Sequence, residues 1–233
     1  AIEQLWQSPE CEIRQRVYLY SDDTMIEFDT VVDWQAEHKM LRVDFPVDIH
    51  ADRAHFEIQF GHIARNTHDN TSWDMAQFEV VGHRWADLSQ PNYGVALLND
   101  CKYGYRVKDG TMSLNLLRSP KSPDSKADMG RHHFRYALLP HRGDHLMANV
   151  VQRAAEFNIT TRGQDTDRHT GRMPHTHGHF SLDVTHVVID TVKHAETDKG
   201  LILRMYEAEG KDGVCNLSLA GEYSAAFEVD LME

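Results

Sequence analysis

The chain has 233 residues, 41% hydrophobic and 26% charged, with a formal net charge of −12. A field of that sign repels phosphate backbones and anionic lipid surfaces, so neither nucleic acid nor a membrane surface is an expected partner. No apolar run approaches the roughly 20 residues that span a bilayer, and the first ten residues, AIEQLWQSPE, show neither the basic nor the apolar region of a signal peptide.

In chain order, most of the sequence reads as short strands. Arg16–Tyr20 is rich in aromatic and aliphatic residues. In Thr24–Trp34 strict alternation places Ile26, Phe28, Thr30, Val32 and Trp34 on one face, with Ser21-Asp22-Asp23 as the hairpin turn before it. Lys39–His50 alternates Leu41, Val43, Phe45, Val47 and Ile49 against Arg42, Asp44, Asp48 and His50. Pro46 cannot donate to a ladder, which marks an edge strand or a bulge. Ala54–Phe60 alternates again, with Phe56, Ile58 and Phe60 expected inward. Residues 61–76 form a polar connection carrying His62, Arg65, Asn66, His68, Asp69, Asn70 and Trp73, the composition of a binding loop or of a solvated crossing.

Residues 73–140 organise the chain. Four strand-like runs lie here, Gln77–Val81, Gly94–Asn99, Thr111–Leu117 and His133–Leu139, separated by loops rich in Asp, Asn, Arg, Trp and Tyr. Such side chains suit sugars, since aromatic faces stack on C–H-rich sugar faces while carboxylates and guanidinium forks bond hydroxyls. They equally make ordinary β-connections. Asn99-Asp100 has turn chemistry, and Tyr103 and Tyr105 at i, i+2 are expected on one face.

From Gly143 the period changes. Leu146, Val150, Ala154 and Phe157 describe an amphipathic helix with Asp144 as N-cap, ending near Asn158. Residues 159–178 are polar and aperiodic, with 161–178 read as a linker. Ser181–Val192, Leu201–Ala208, Val214–Leu219 and Ala226–Leu231 then read as four short strands of a small sandwich.

Chemistry-bearing patterns are sparse. His175-x-His177-x-His179 could converge from one face of a strand, yet no further ligand stands at useful spacing, so no metal is assigned to this chain. No phosphate loop, nucleophile elbow or Cys/His pairing occurs. Cys11, Cys101 and Cys215 are odd in number and far apart, which fits reduced thiols in a cytoplasmic compartment.

Two runs, FEVVGHRWADLSQPNYGVALLNDCKYGY and LLRSPKSPDSKADMGRHHFRYALLPHRG, closely resemble the C-terminal β-region of α-mannosidases of glycoside hydrolase family 38, cytosolic type. The similarity extends back through MLRVDFPVDIHADRAHFEIQFGHIARNTHDNTSW and forward to VVIDTVKHAETDKGLILRMYEAEG. The resemblance implies an all-β fold: a large antiparallel super-sandwich of galactose-mutarotase-like type over residues 1–160, lacking its first strands, and a small β-sandwich over 179–233. It implies a longer parent, a retaining glycosidase of terminal α-mannosides, whose nucleophile and zinc-type divalent cation belong to an N-terminal barrel. The chain itself is then expected to be inactive, acting as scaffold and pocket wall. The alternatives are a stand-alone carbohydrate-binding module or a structural interaction domain. By positional match to a family hairpin that approaches the substrate, Arg118, Asp124, Asp128 and Arg131 are candidate contacts for an α-mannoside oligosaccharide, together with Asp100 and Tyr103. Missing first strands also imply an open sheet edge, hence self-association or binding to the barrel, with Thr24–Trp34 the less protected candidate.

Overall fold

A computed structural model describes residues 1–168, 170–172, 174–196 and 200–233. The chain divides into two compact units, Ala1–Thr160 and Thr161–Glu233.

In chain order the first unit contains β1 (Ile2–Ser8), β2 (Cys11–Leu19), β3 (Ile26–Trp34), β4 (Leu41–Pro46), β5 (Arg53–Ile58), β6 (Gly61–Asn66) and α1 (Ser72–Ala76). It continues with β7 (Val80–Val81), β8 (Trp85–Gln90), β9 (Tyr93–Asn99), β10 (Gly104–Lys108), β11 (Thr111–Leu117), β12 (Gly130–His141) and α2 (Val150–Asn158). They build an eight-stranded sheet, order β1-β2-β3-β12-β9-β8-β5-β6, and a four-stranded sheet, order β4-β11-β10-β7. The pairings are antiparallel.

The two sheets share a core. Val32, Trp34, Phe56, Leu88, Leu97, Phe134 and Tyr136 from the large sheet meet Tyr105, Val107, Met112, Leu114 and Leu116 from the small one. This alternation of inward apolar residues is what makes a sandwich pack. A second, smaller core lies on the opposite face of the large sheet, where Trp85, Ala96, Leu98, Ala137 and Leu139 take Val150, Ala154 and Phe157 of α2. Burying each large side chain there is worth about 1.5–3 kcal/mol. The outer face of the large sheet is buried and apolar where α2 covers it.

Several sequence expectations change on this frame. Thr24–Trp34 is no edge: β3 lies between β2 and β12. The edges of the large sheet are β1 and β6, and β1 is exposed along its whole length. Lys39–His50 does hold an edge strand, shorter than its alternation, with Pro46 at its end. Gln77–Val81 contributes only the two residues of β7. The segment before it is instead helical, because Thr71 and Asp74 form a reciprocal capping box. The polar connection 61–76 hides β6, which pairs with β5 residue for residue. Phe60 sits at that hairpin's turn with φ of 53° and points outward. WADLSQ gave no alternation because β8 is interior and largely buried on both faces.

The helix begins at Val150. Asp144 caps a separate turn, its Oδ1 accepting from Met147 N at 2.9 Å, which leaves Met147 exposed. Tyr103 and Tyr105 do not share an environment: Tyr103 is 58% exposed and Tyr105 fully buried.

The second unit holds β13 (Phe180–Leu182), β14 (Val187–His194), β15 (Leu201–Glu207) and β16 (Leu217–Leu219). They form two antiparallel pairs, β13 with β16 and β14 with β15. Ser181–Val192 is thus split between two ladders, and Ala226–Leu231 forms no strand. The expected Asp198-Lys199-Gly200 turn falls mostly outside the described residues.

Candidate functional site

The loop between β11 and β12 is built around one carboxylate. Asp128 Oδ2 accepts from the backbone N–H of Arg118 at 2.8 Å and of Ser119 at 3.0 Å. Burial alone would raise its pKa. Those two N–H donors, with His132 and Lys102 close enough to act on the charge, outweigh burial and hold it below the usual range. Asp128 has φ of 60°, a left-handed conformation that Asp tolerates better than most residues. Ser119 is buried and its hydroxyl accepts from Trp34 Nε1, which anchors the loop to the main core. His132 Nε2 meets the Asp128 carbonyl at 2.9 Å.

The other loop candidates stand in different roles. Asp124 is exposed and accepts from Lys126 N at 2.8 Å, an Asx turn. Lys121 reaches Glu37 at 2.6 Å. The side chain of Arg118 is exposed at the loop's base. Among the described residues neither an Arg118–Asp124 nor an Asp128–Arg131 ion pair forms; backbone donors, not guanidinium forks, order the loop.

A second turn lies beside this loop. Asn99 Oδ1 accepts from Cys101 N at 3.0 Å, and its amide donates to the buried Tyr105 hydroxyl. Asp100 faces β12, its Oδ2 accepting from Arg135 N at 3.0 Å. Burial, and then the neighbouring Asp100, push the Cys101 thiol up to about 11. Tyr103 packs edge-on against His83 at 5.8 Å between ring centres, its ring otherwise open. Lys102 links the two segments, lying over the Phe134 ring at 4.6 Å and acting on Asp128.

Arg131 is separated from the loop by its strand direction. It stands on the same face of the large sheet as Ala137 and Leu139, on the part of that face that α2 does not cover. Cross-strand register puts Glu12 opposite Asp33 and Asp33 opposite Arg131, with Arg14, Val31 and His133 in the next row. These residues line an open groove of about 520 Å³. His133 meets Asp29 at 2.5 Å and Arg16 meets Glu3 at 2.7 Å. Mixed carboxylates, guanidinium groups and imidazole on a flat sheet can bond a polyhydroxyl ligand or an opposing polar protein surface. The six sequence candidates are therefore divided. Arg118, Asp124 and Asp128 share one loop, Asp100 and Tyr103 the adjacent turn, and Arg131 the open face.

One cluster escaped the sequence reading. His55, His62 and His145 gather at the rim of the second core, each offering a ring nitrogen within 4.8 Å of the others. Burial first, and neighbouring imidazoles second, lower the pKa of His55 and push His145 to about 4. Beside them the buried Asp87 holds His141 Nε2 at 2.7 Å. Burial disfavours the charged ring of His141, but that bond and Asp87's charge raise its pKa overall. The available signal was His55 and His62 across a tight hairpin, visible only once β6 is known to be a strand.

Comparison with known proteins bears on this assembly. Residues 1–126 match the model "Glycosyl hydrolases family 38 C-terminal domain", and residues 186–233 match "Glycosyl hydrolases family 38 C-terminal beta sandwich domain". The chain belongs to glycosyl hydrolase family 38. Alpha-mannosidase 2C1 of Homo sapiens is 44% identical over 230 residues, 97% of this chain and 22% of that protein. Alpha-mannosidase G of Dictyostelium discoideum is 45% identical over 199 residues, 85% of this chain and 18% of its own length. An alpha-mannosidase of Saccharomyces cerevisiae is 36% identical over 261 residues, covering all of this chain and 23% of its own. This family-38 chain thus spans about a fifth of the curated relatives it matches. Its fold is shared with the crystal structure of an alpha-mannosidase from Enterococcus faecalis V583, at TM-score 0.78 and 20% identity, over 90% of this chain and 25% of that one. No helix among the described residues is long and apolar enough to cross a membrane.

Proposed function

We propose that this chain is the C-terminal, non-catalytic part of an α-mannosidase that hydrolyses terminal α-mannosides with retention. The observation that carries the reading is the pair of C-terminal family matches on a chain about one fifth the length of its relatives. In this reading residues 1–160 form the large sandwich domain, 161–178 a linker and 179–233 the small sandwich. The nucleophile and a zinc-type divalent cation belong to an N-terminal barrel, and the working compartment is cytoplasmic.

Residues of this chain contribute walls rather than chemistry. Retaining hydrolysis needs two carboxyl groups about 5–5.5 Å apart flanking the scissile bond. Asp128 is occupied by Arg118 and Ser119 N–H, Asp124 by Lys126 N–H, and Asp100 by Arg135. Each carboxylate is thus committed to donors of this chain, and among the described residues the three form no ligand set for the barrel's cation. Arg118 and Tyr103 are the exposed groups suited to touch the oligosaccharide: a guanidinium fork for hydroxyls and a ring for a sugar face. Asp128 holds the backbone of Arg118, and Asn99 holds the turn that carries Tyr103. Arg131 and the open charged face are suited to brace the barrel.

The test is kinetic. In the longer enzyme, Arg118→Ala and Tyr103→Ala should raise KM for a mannobiose substrate several-fold while Tm stays within about 2 °C. Unchanged KM and kcat in both variants would remove this loop and turn from the pocket wall.

A further inference from the structure

The geometry points to a binding site for one zinc-type divalent transition-metal ion formed by His55, His62 and His145 of this chain. The register of the β5–β6 hairpin sets His55 opposite Ala64 and His62 opposite Glu57. The two imidazoles are therefore diagonal neighbours on one sheet face. His145 comes down on that face from the turn before α2. Its ring centre lies 4.2 Å from that of His55 and 4.9 Å from that of His62.

Three ring nitrogens within 4.8 Å of one another bracket the volume of an ion. A tetrahedral ion with bonds of about 2.0–2.1 Å needs donors roughly 3.3 Å apart. Small rotations of three imidazoles about their χ angles close that gap without moving the backbone. The donor set is nitrogen only, which suits zinc, copper or nickel and not calcium or magnesium.

A second observation is independent of the spacing. His145 is only 5% exposed, yet neither of its ring nitrogens has a hydrogen-bond partner among the described residues. Buried polar atoms are almost always satisfied, and those that are not mark a missing ligand, ion or water. Two more such atoms lie in the same rim: Trp85 Nε1 and Asp87 Oδ1. Asp87 is fully buried and stands opposite His55 across the β5–β8 ladder. Its carboxylate, bonded through Oδ2 to His141, places negative charge beside the cluster.

The position gives the site a purpose. The β5–β6 hairpin ends the large sheet, and β5 is joined to β8 through only two register pairs, His55 with Asp87 and Phe56 with Ala86. An ion held by both hairpin strands and by the turn before α2 adds a staple between this edge hairpin and the covered face of the sheet, beside the Glu57–Arg84 pair.

The experiment uses the 233-residue chain, stripped with a chelator and titrated with Zn²⁺ alone, then with Co²⁺ as a spectroscopic stand-in. Expected are one Zn²⁺ per chain with Kd below about 10 μM, and a Tm rise of about 5 °C at roughly 100-fold excess over Kd. Co²⁺ should give tetrahedral ligand-field bands and paramagnetic broadening of the His55, His62 and His145 ring signals. His145→Ala and His62→Gln should each abolish the 1:1 isotherm, whereas a His175→Ala, His177→Ala, His179→Ala triple variant should keep it. Should His145→Ala fail to fold, the broadening pattern in the parent chain decides. The proposal is overturned by no saturable binding at 100 μM Zn²⁺. It is equally overturned by binding that survives His62→Gln and disappears in the triple variant, which would place the ion on the exposed 175–179 segment.

Discussion

Asp128 offers the sharpest mutational test of how the candidate loop is built. Asp128→Ala removes the acceptor of two backbone N–H groups and leaves Ala at φ of 60°. A hydrogen bond to a charged group is worth about 1.5–3 kcal/mol. The carboxylate is partly exposed, so solvent screening roughly halves the pair's total, to about 1.5–3 kcal/mol. Left-handed strain adds about 1 kcal/mol for Ala. For a domain of this size 1 kcal/mol shifts Tm by about 2–4 °C, so a fall of about 5–16 °C is expected. Asp128→Gly keeps the backbone relaxed and should lose less than Ala. Asp128→Asn keeps an acceptor and the tolerance of left-handed φ, and should lose about 1 kcal/mol. The sign with pH follows from the depressed carboxyl. Its contribution is complete above the ordinary Asp pKa of about 3.9 and disappears as pH falls through the lower folded-state value. The gap between parent and Asp128→Asn should therefore be full at pH 7 and narrow as pH falls below the ordinary Asp range. Thermal unfolding by circular dichroism reads the stability, and amide exchange at Ser119 reads the loop. A Tm within 2 °C of the parent for Asp128→Ala, with unchanged Ser119 exchange, would refute the view that this carboxylate holds the loop.

Three further outcomes are expected. Glu57→Ala should destabilise by about 3 kcal/mol in urea unfolding, because it leaves Arg84, now paired at 3.0 Å through Nε, beside a buried vacancy; a loss below 1 kcal/mol would contradict that pairing. Phe157→Ala should cost about 3 kcal/mol by emptying the second core and removing the ring under Arg135, with increased exchange confined to α2 and its sheet face. The exposed edge β1, carrying Ile2, Leu5 and Trp6 in the open, should drive concentration-dependent association of the isolated chain; light scattering showing a monomer at high micromolar concentration would show that this edge is blunted after all.

Much of the fold was legible because one-sided strands write their burial into alternation. In β3 the row Phe28, Thr30, Val32, Trp34 is read directly, and the α2 stripe Val150, Ala154, Phe157 emerges from its period. What failed was lost for physical reasons. β8 is buried on both faces and includes Asp87, so it carries no alternation. β6 is a polar edge strand whose identity comes from pairing with β5 rather than from its own residues. The order of strands, which moved the open edge from Thr24–Trp34 to β1, depends on partners far away in sequence. The same limit applies to the candidate site. Asp128 was singled out, but its bonds to backbone N–H groups cannot be read from residue types. The histidine cluster needed three segments brought together by the fold.

In the proposed division of labour this chain supports a mannosidase and does not perform its chemistry. The most direct measurement compares turnover of an aryl α-mannoside, with Zn²⁺ present, by the purified 233-residue chain and by the longer protein in which the proposal places it. The account predicts no turnover above background for the chain alone and α-mannosidase activity for the longer protein. Zn²⁺-dependent hydrolysis by the isolated chain, or a longer protein inert towards α-mannosides, would contradict it.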